Sequence, residues 1–230
     1  MLVPTFNEQA NLQVCLQQFD GIGKGIIELV VSDDGSSDGT LKIAQKLADV
    51  VVERPKHIEL HTIARNRNAG ARAASGLVIV FIDADTIVRD PAGFIAIVSE
   101  WFAKQSNLAS LVPRVEIEPK QAKLSDRLVH SYINFLYRVL VVLGMAGGGG
   151  QCQIVRRDAF NAVGGYHEAL TASEDIELIR RIKKIGKVKF SPNLVVYESP
   201  RRYRDQGYAR PLWQWFVNYL SVLFKGRAHS

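Results

Sequence analysis

The chain has 230 residues, 47% of them hydrophobic and 23% charged, with 18 Gly and 8 Pro. That composition excludes collagen-like, low-complexity and largely disordered chains and leaves room for a substantial core. Its 29 Lys and Arg against 23 Asp and Glu give a net charge of +6, which favours nucleic acid, an acidic membrane face or a phosphorylated small molecule without choosing among them. Cys15 and Cys152 are the only cysteines; they have neither the number nor the spacing of a disulfide framework or a cysteine zinc site, and read as reduced, packed thiols. Met1-Leu2-Val3-Pro4 lacks the basic region and long apolar run of a signal peptide. The most apolar stretches, 132–146 and 213–224, fall short of the roughly 20 residues that span a bilayer. A cytoplasmic location is therefore expected.

A short strand stub at Leu2-Val3 leads past Asn7-Glu8 to an amphipathic helix marked by Leu12, Leu16 and Phe19. Ile26 to Val31 reads as a strand ended by the turn-rich 33–39 segment. Leu41, Ala44, Leu47 and Ala48 outline a second helix, and Val50 to Val52 a short strand. Arg65 to Ala74 is helix-prone and closed by Gly76; Val78 to Ile82 is the clearest buried strand; Phe94, Ile97, Val98, Trp101 and Phe102 mark the next helix. In the second half, Leu108 to Ile117 reads as a strand and Leu124 to Met145 as a long helix. Gly147 to Gly150 is a flexible break, Ile176, Ile179 and Ile182 outline a helix, and strands follow near Lys187 to Phe190 and Leu194 to Tyr197. This alternation predicts an α/β sandwich with a mainly parallel central sheet. With no repeat or linker, residues 1–230 are expected to form one domain, divided near 105 and followed after 204 by an aromatic, basic C-terminal helix.

Acidic clusters follow two of the predicted strands, where α/β sheets place ligands. They are Asp33-Asp34 and Asp83-Ala84-Asp85. If the strand continues through the second, Asp83 and Asp85 project to one side and repel unless one is protonated or a cation sits between them. Oxygen-only ligation suits Mg²⁺ or Mn²⁺ completed by water and a diphosphate; equally, the two aspartates can simply cap a turn. His57, His61, His130, His167 and His229 show no metal-ligand spacing and read as ordinary surface or packed residues.

The strings Pro4-Thr5-Phe6-Asn7-Glu8, Val30-Val31-Ser32-Asp33-Asp34-Gly35-Ser36-Ser37-Asp38-Gly39-Thr40, Arg67-Asn68-Ala69-Gly70 and Phe81-Ile82-Asp83-Ala84-Asp85-Thr86 occur in that order. Arg156-Arg157-Asp158-Ala159-Phe160, Val163-Gly164-Gly165-Tyr166 and Glu174-Asp175 follow. Together, over residues 3–204, they resemble the family 2 glycosyltransferases. The resemblance implies a GT-A fold, a three-layer α/β/α sandwich, with a nucleotide-sugar half over about 1–105 and an acceptor half over about 106–204. It implies that Pro4, Thr5 and Glu8 line the nucleotide pocket and that Asp34, with Asp33 beside it, binds the base and ribose. Arg67 would sit near the diphosphate, Asp83 would contact ribose or sugar, and Asp85, the last residue of the DXD motif, would hold the metal. Asp175 would be the general base of an inverting transfer, beside Glu174. Gly164 and Gly165 would lie near the donor sugar, although a backbone requirement explains them equally well.

Two departures stand out. The family usually carries more apolar residues before Pro4, so the sheet beside the base pocket is in question. Many relatives also place a metal-touching His where this chain has Glu198 and Ser199, which leaves the third metal contact open. The absence of a Gln-x-x-Arg-Trp signature favours transfer of a single sugar, with a UDP-sugar as the favoured donor. Trp213, Trp215 and Tyr219 beside Arg201, Arg202, Arg204, Arg210, Lys225 and Arg227 suggest peripheral contact with a membrane face and a lipid or lipid-linked acceptor. A homodimer contact or a helix packed over the sheet is the competing reading. The alternative function is a non-catalytic nucleotide-sugar or polysaccharide-assembly binding module. Nucleic-acid binding lacks any matching motif.

Overall fold

The computed structural model describes residues 1–23, 25–55, 61–145 and 147–225. The first half alternates strand and helix: β1 (Leu2–Thr5), α1 (Leu12–Gln17), β2 (Val30–Asp33), α2 (Thr40–Leu47), β3 (Val50–Glu53), α3 (Ile63–Ala73) and β4 (Val78–Ile82). There follow β5 (Ile87–Val88), α4 (Pro91–Lys104), β6 (Leu108–Ile117), α5 (Leu124–Val142), β7 (Cys152–Arg156) and α6 (Arg157–Ala162). The chain then forms α7 (Glu174–Ile182), β8 (Lys187–Glu198), α8 (Arg201–Gln206) and α9 (Ala209–Lys225). Local chemistry sets several boundaries. Thr62 caps α3 by accepting from the Arg65 N–H at 3.2 Å. Asp90 caps α4, accepting from the Gly93 N–H at 3.0 Å with Pro91 in the first turn.

The eight strands form one sheet in the order β3-β2-β1-β4-β7-β6-β8-β5. β1 runs parallel to β2 and β4, β2 to β3, and β6 to β8, whereas β7 is antiparallel to β4 and β6, and β5 to β8. The sheet is thus mostly, not purely, parallel. Because side chains alternate across a strand, each strand feeds two cores. Val3, Val31, Val80 and Ile82 meet Leu12 and Leu16 of α1, Ala44 of α2 and Phe94 and Val98 of α4. Leu2, Val30, Ile79 and Phe81 meet Ala64 and Ala71 of α3, Phe160 of α6 and Leu178 and Ile182 of α7. Helices on both faces make the three layers.

Five expectations change in detail. The strand expected from Ile26 begins at Val30, and Ile26 is exposed: its N–H donates to the Gly23 carbonyl at 3.1 Å in a turn, so apolar character there does not become strand. Despite the few residues before Pro4, β1 is fully buried and pairs with β2 at Leu2↔Val30, Val3↔Val31, Pro4↔Ser32 and Thr5↔Asp33, so the part of the sheet in question is formed. The two strands expected near 187 and 194 are one strand, with a register irregularity opposite Pro113 and Arg114. The long helix stops at Val142, and the C-terminal segment is broken at Gly207, with φ +68°, between α8 and α9.

Candidate active site

The carboxyl ends of β1, β2 and β4 open on one side of the sheet, and because β7 runs antiparallel, with Ile82 paired to Cys152, the 147–151 loop arrives at the same edge. On the β1–β2 side, Asp33 is spent on the loop itself. Buried, it accepts from the Gly35 and Ser36 N–H groups at 3.0 and 2.8 Å and from the Thr5 and Ser36 hydroxyls at 3.0 and 2.5 Å. Asp34 points the other way, to Arg54 Nε at 3.2 Å and His61 Nδ1 at 3.0 Å. Phe6, exposed, lies 6.1 Å from the His61 ring. Pro4 and Thr5 are buried beneath this rim. Glu8 accepts from Asn11 Nδ2 at 2.7 Å, and its backbone holds the first turn of α1. Of the two adjacent aspartates, then, Asp33 closes the loop and Asp34 pairs with Arg54 and His61.

Arg67 stands at the centre, on α3, with 2% of its side chain exposed. Its Nη1 donates to Glu174 Oε1 at 2.7 Å, and its Nη2 to Asp83 Oδ1 at 2.9 Å and to the Gly150 carbonyl at 3.0 Å. The guanidinium lies 5.5 Å from the Tyr166 ring centre. One side chain therefore ties the turn after β4 to the glycine loop and to the first turn of α7. A buried charge requires such pairing. It also means that Arg67, expected near the diphosphate, has both Nη groups engaged within the protein, while its buried Nε has no hydrogen-bond partner among the described residues.

Asp175 sits beside this cluster. Ser173 before it has φ +59°, an uncommon conformation for a residue other than glycine, and turns the chain so that Glu174 and Asp175 open α7. Asp175 Oδ1 accepts from the Ile176 N–H at 2.8 Å. Its acidity is weakened, because burial and the Glu174 charge raise its pKa against the opposing pull of Arg67 and the Ile176 N–H. Gln153 Nε2 donates to the Asp175 carbonyl at 3.1 Å, and the Tyr166 hydroxyl donates to Gln153 Oε1. Gly150 leaves room for the carboxylate: a Cβ there would lie 3.3 Å from Asp175 Oδ2 and 3.6 Å from Arg67 Nη2.

Asp83 and Asp85 lie in a turn after β4, closed by the Thr86 N–H to the Asp83 carbonyl at 3.0 Å. The alternative in which the strand continues through them does not hold. They remain electrostatic neighbours: burial raises the Asp83 pKa, Arg67 opposes, and Asp85 and Glu174 raise it again. Asp85 faces Arg201 of α8 at 3.5 Å. Among the described residues no group of three His, Cys, Asp or Glu forms a ready metal cage. Two partly exposed carboxylates in mutual repulsion fit a hard divalent cation that keeps water and phosphate oxygens as its other ligands.

At the end of β8, Glu198 is fully engaged. His130 Nε2 lies 2.6 Å from its Oε1, the Tyr203 hydroxyl donates to the same oxygen at 2.7 Å, and Gln151 Nε2 donates to Oε2 at 2.5 Å. His130 is thus a buried partner of a carboxylate and not an isolated ring. His57 and His229 fall outside the described residues. Gly164 and Gly165 have φ +77° and +71°, and a Cβ on Gly165 would lie 2.7 Å from Asn68 Oδ1 and 3.1 Å from Phe160, so the backbone alone demands them. The sequence reading gave Gly150 only as the end of a flexible break and Arg201 only as a cation near the C-terminal helix, and it did not single out Gln151 or Gln153. The signal for the glutamines was their i, i+2 placement across the junction between the glycine run and the strand after it.

The family model described as glycosyl transferase family 2 matches residues 1–164. The poly-beta-1,6-N-acetyl-D-glucosamine synthase of Staphylococcus epidermidis is 24% identical over 209 residues, covering 85% of this chain and 48% of that protein. The chain spans about half the length of the curated relatives it matches. A mannosyltransferase from Pyrobaculum calidifontis, solved with GDP-Man and Mn²⁺, superposes with a TM-score of 0.74 at 20% identity, covering 99% of this chain and 64% of that one. The glucosyl-3-phosphoglycerate synthase of Mycobacterium tuberculosis, solved with Mn²⁺, UDP and glucosyl-3-phosphoglycerate, does so with a TM-score of 0.67 at 17% identity, covering 100% and 80%. With more than two thirds of its length matched and with helices on both faces of a mixed, mostly parallel sheet, the chain belongs to glycosyl transferase family 2 and has the GT-A fold.

Proposed function

We propose that this chain is a metal-dependent, inverting glycosyltransferase that moves one sugar from a nucleotide-diphosphate donor, a UDP-sugar, to an acceptor hydroxyl. The observation that carries the reading is the link through Arg67, which joins the Asp83 turn to Glu174 and so sets Asp175 beside the donor side of the sheet. Asp34, Phe6 and His61 frame the base and ribose. Asp85 would hold Mg²⁺ or Mn²⁺, which when bound neutralises charge on the diphosphate, with Asp83 beside it toward the ribose or sugar; the neighbours solved with Mn²⁺ support the use of a divalent metal. Asp175, its basicity raised by burial, takes the proton of the acceptor hydroxyl. The acceptor oxygen then bonds to the anomeric carbon from the face opposite the diphosphate. The bond from that carbon to the diphosphate oxygen breaks, the nucleoside diphosphate leaves with the electron pair, and the configuration inverts. The acceptor is lipid or lipid-linked and met at a membrane face, a reading supported by the exposed Trp213 and Phe216 of α9.

The test is donor turnover across a panel of nucleotide sugars with Mn²⁺ or Mg²⁺, comparing wild type with Asp85→Ala and Asp175→Asn. Asp175→Asn should lower kcat by about 10²- to 10⁴-fold, the usual range for general-base help, while donor affinity is kept. Asp85→Ala should abolish the metal stimulation. Failure of any donor to bind with metal present overturns the reading. Binding with unchanged turnover in both variants overturns the residue roles.

A further inference from the structure

We propose that the outward face of α5 docks on an anionic lipid surface. The helix is inverted relative to an ordinary amphipathic one. Toward the protein it buries Asp126, His130, Ile133, Asn134 and Val141, three of them polar and all three hydrogen-bonded within the chain. Toward solvent it turns Leu124, Leu128, Tyr132, Phe135 and Val142, which are between 59% and 78% exposed. Their spacing of four, four, three and seven residues keeps them on one stripe. The exposed Arg127 and Arg138 are eleven residues apart, close to three full turns, and line one edge of that stripe.

Charge selects the partner. The only carboxylate on α5 is Asp126, buried and paired to Arg204 Nη1 at 2.8 Å, so the exposed face carries cations and no anion. A second copy would bring the same face against itself in a two-fold contact, setting Arg127 and Arg138 against a helix face without carboxylates. A leaflet of anionic lipid offers hydrocarbon to the stripe and negative headgroups to its edge. No helix among the described residues is long and apolar enough to cross a membrane, so α5 would lie along the surface. The inference deepens the lipid-acceptor reading above by naming the surface and the headgroup charge, but its observations are those of α5.

The experiment is cosedimentation of the full chain with phosphatidylcholine vesicles, with and without phosphatidylglycerol. Wild type should pellet with the anionic vesicles and stay in the supernatant with the neutral ones. Leu128→Glu with Phe135→Glu should weaken partition at least about tenfold, and Arg127→Ala with Arg138→Ala should lower it by a similar factor on anionic vesicles. All variants should retain the wild-type thermal melt and donor turnover in solution. Wild type that does not pellet with anionic vesicles, or a double-Glu variant that pellets as well as wild type, overturns the proposal. So does a wild-type dimer by light scattering that the double-Glu substitution dissociates, since the face would then belong to a second copy. Loss of donor turnover in every preparation with vesicle binding intact would refute the catalytic reading and leave the docking surface standing.

Discussion

Replacing Arg67 by Leu tests the centre of the site. The guanidinium makes three hydrogen bonds, at 2.7 Å to Glu174, 2.9 Å to Asp83 and 3.0 Å to the Gly150 carbonyl. Its removal leaves two carboxylates facing each other with Asp175 beside them. Breaking a buried pair by removing one partner costs about 3–5 kcal/mol. Asp83 is about a third exposed and Glu174 only a tenth, so water screens the Asp83 share and most of the loss falls on Glu174; we expect about 3 kcal/mol near neutral pH. Without Arg67, which now lowers the pKa of Asp83 and Asp175, the carboxylates titrate higher in the folded than in the unfolded state. The folded variant then holds more protons, and its stability falls as pH rises through that window, by at most about 1.4 kcal/mol per pH unit for each such group. Urea unfolding at several pH values measures this. The expected outcome is a deficit relative to wild type that widens from acid to alkaline pH. A deficit under about 1 kcal/mol, or one that does not vary with pH, would refute the bridging role. Arg67→Lys should recover only part of the loss, since a point charge does not span two carboxylates in the geometry of the guanidinium fork.

Gly150→Ala should lower kcat by roughly tenfold with little change in donor KM, because the new Cβ would crowd Asp175 Oδ2 at 3.3 Å and displace the proposed base by a fraction of an ångström; steady-state kinetics separates the two constants. Gly70→Ala should destabilise the protein by about 1–3 kcal/mol through overpacking, since its Cβ would lie 2.8 Å from Leu2 Cδ1 and 3.0 Å from Ser32 Cβ, readable as a shift in urea midpoint. Burial works against the charged His130, but the hydrogen bond and charge of Glu198 outweigh it and raise the pKa. Its contribution is therefore complete below the unfolded value of about 6.5 and is lost as pH rises through the folded value. His130→Phe should cost about 1–3 kcal/mol under mildly acidic conditions and less under alkaline ones, and thermal melts across that range would reveal a flat difference if the pairing were absent.

Much of the architecture was legible because it rests on local chemistry. Val78 to Ile82 is a continuous apolar run between a turn and an acidic cluster, and it becomes the buried β4 as written. The 108–117 strand likewise keeps its limits. The two glycines at 164 and 165 announce backbone demands that their φ values bear out. Ile26 misled because apolar character makes a strand only where a neighbour supplies hydrogen bonds. The split reading of β8 arose from Pro192 and the bulge opposite Pro113 and Arg114, which interrupt the pattern without ending the pairing.

The sequence by itself determined where the candidate charges lie: the acidic pairs after two strands, Arg67 in its own string, and Glu174-Asp175 at the start of an amphipathic helix. Their types and order are written locally, and so is the alternation that builds the sheet. Tertiary structure alone decided how those charges are spent. Asp33 and Asp34 are adjacent in the chain, yet one closes a loop and the other pairs with Arg54 and His61. Arg67 and Glu174, 107 positions apart, become a buried pair, and Glu198 turns to His130, Gln151 and Tyr203. Nothing in a linear pattern encodes such partnerships, because a buried charge is stable only beside a particular opposite group, and that group is supplied by whichever distant segment the packing of the sheet brings to the same point.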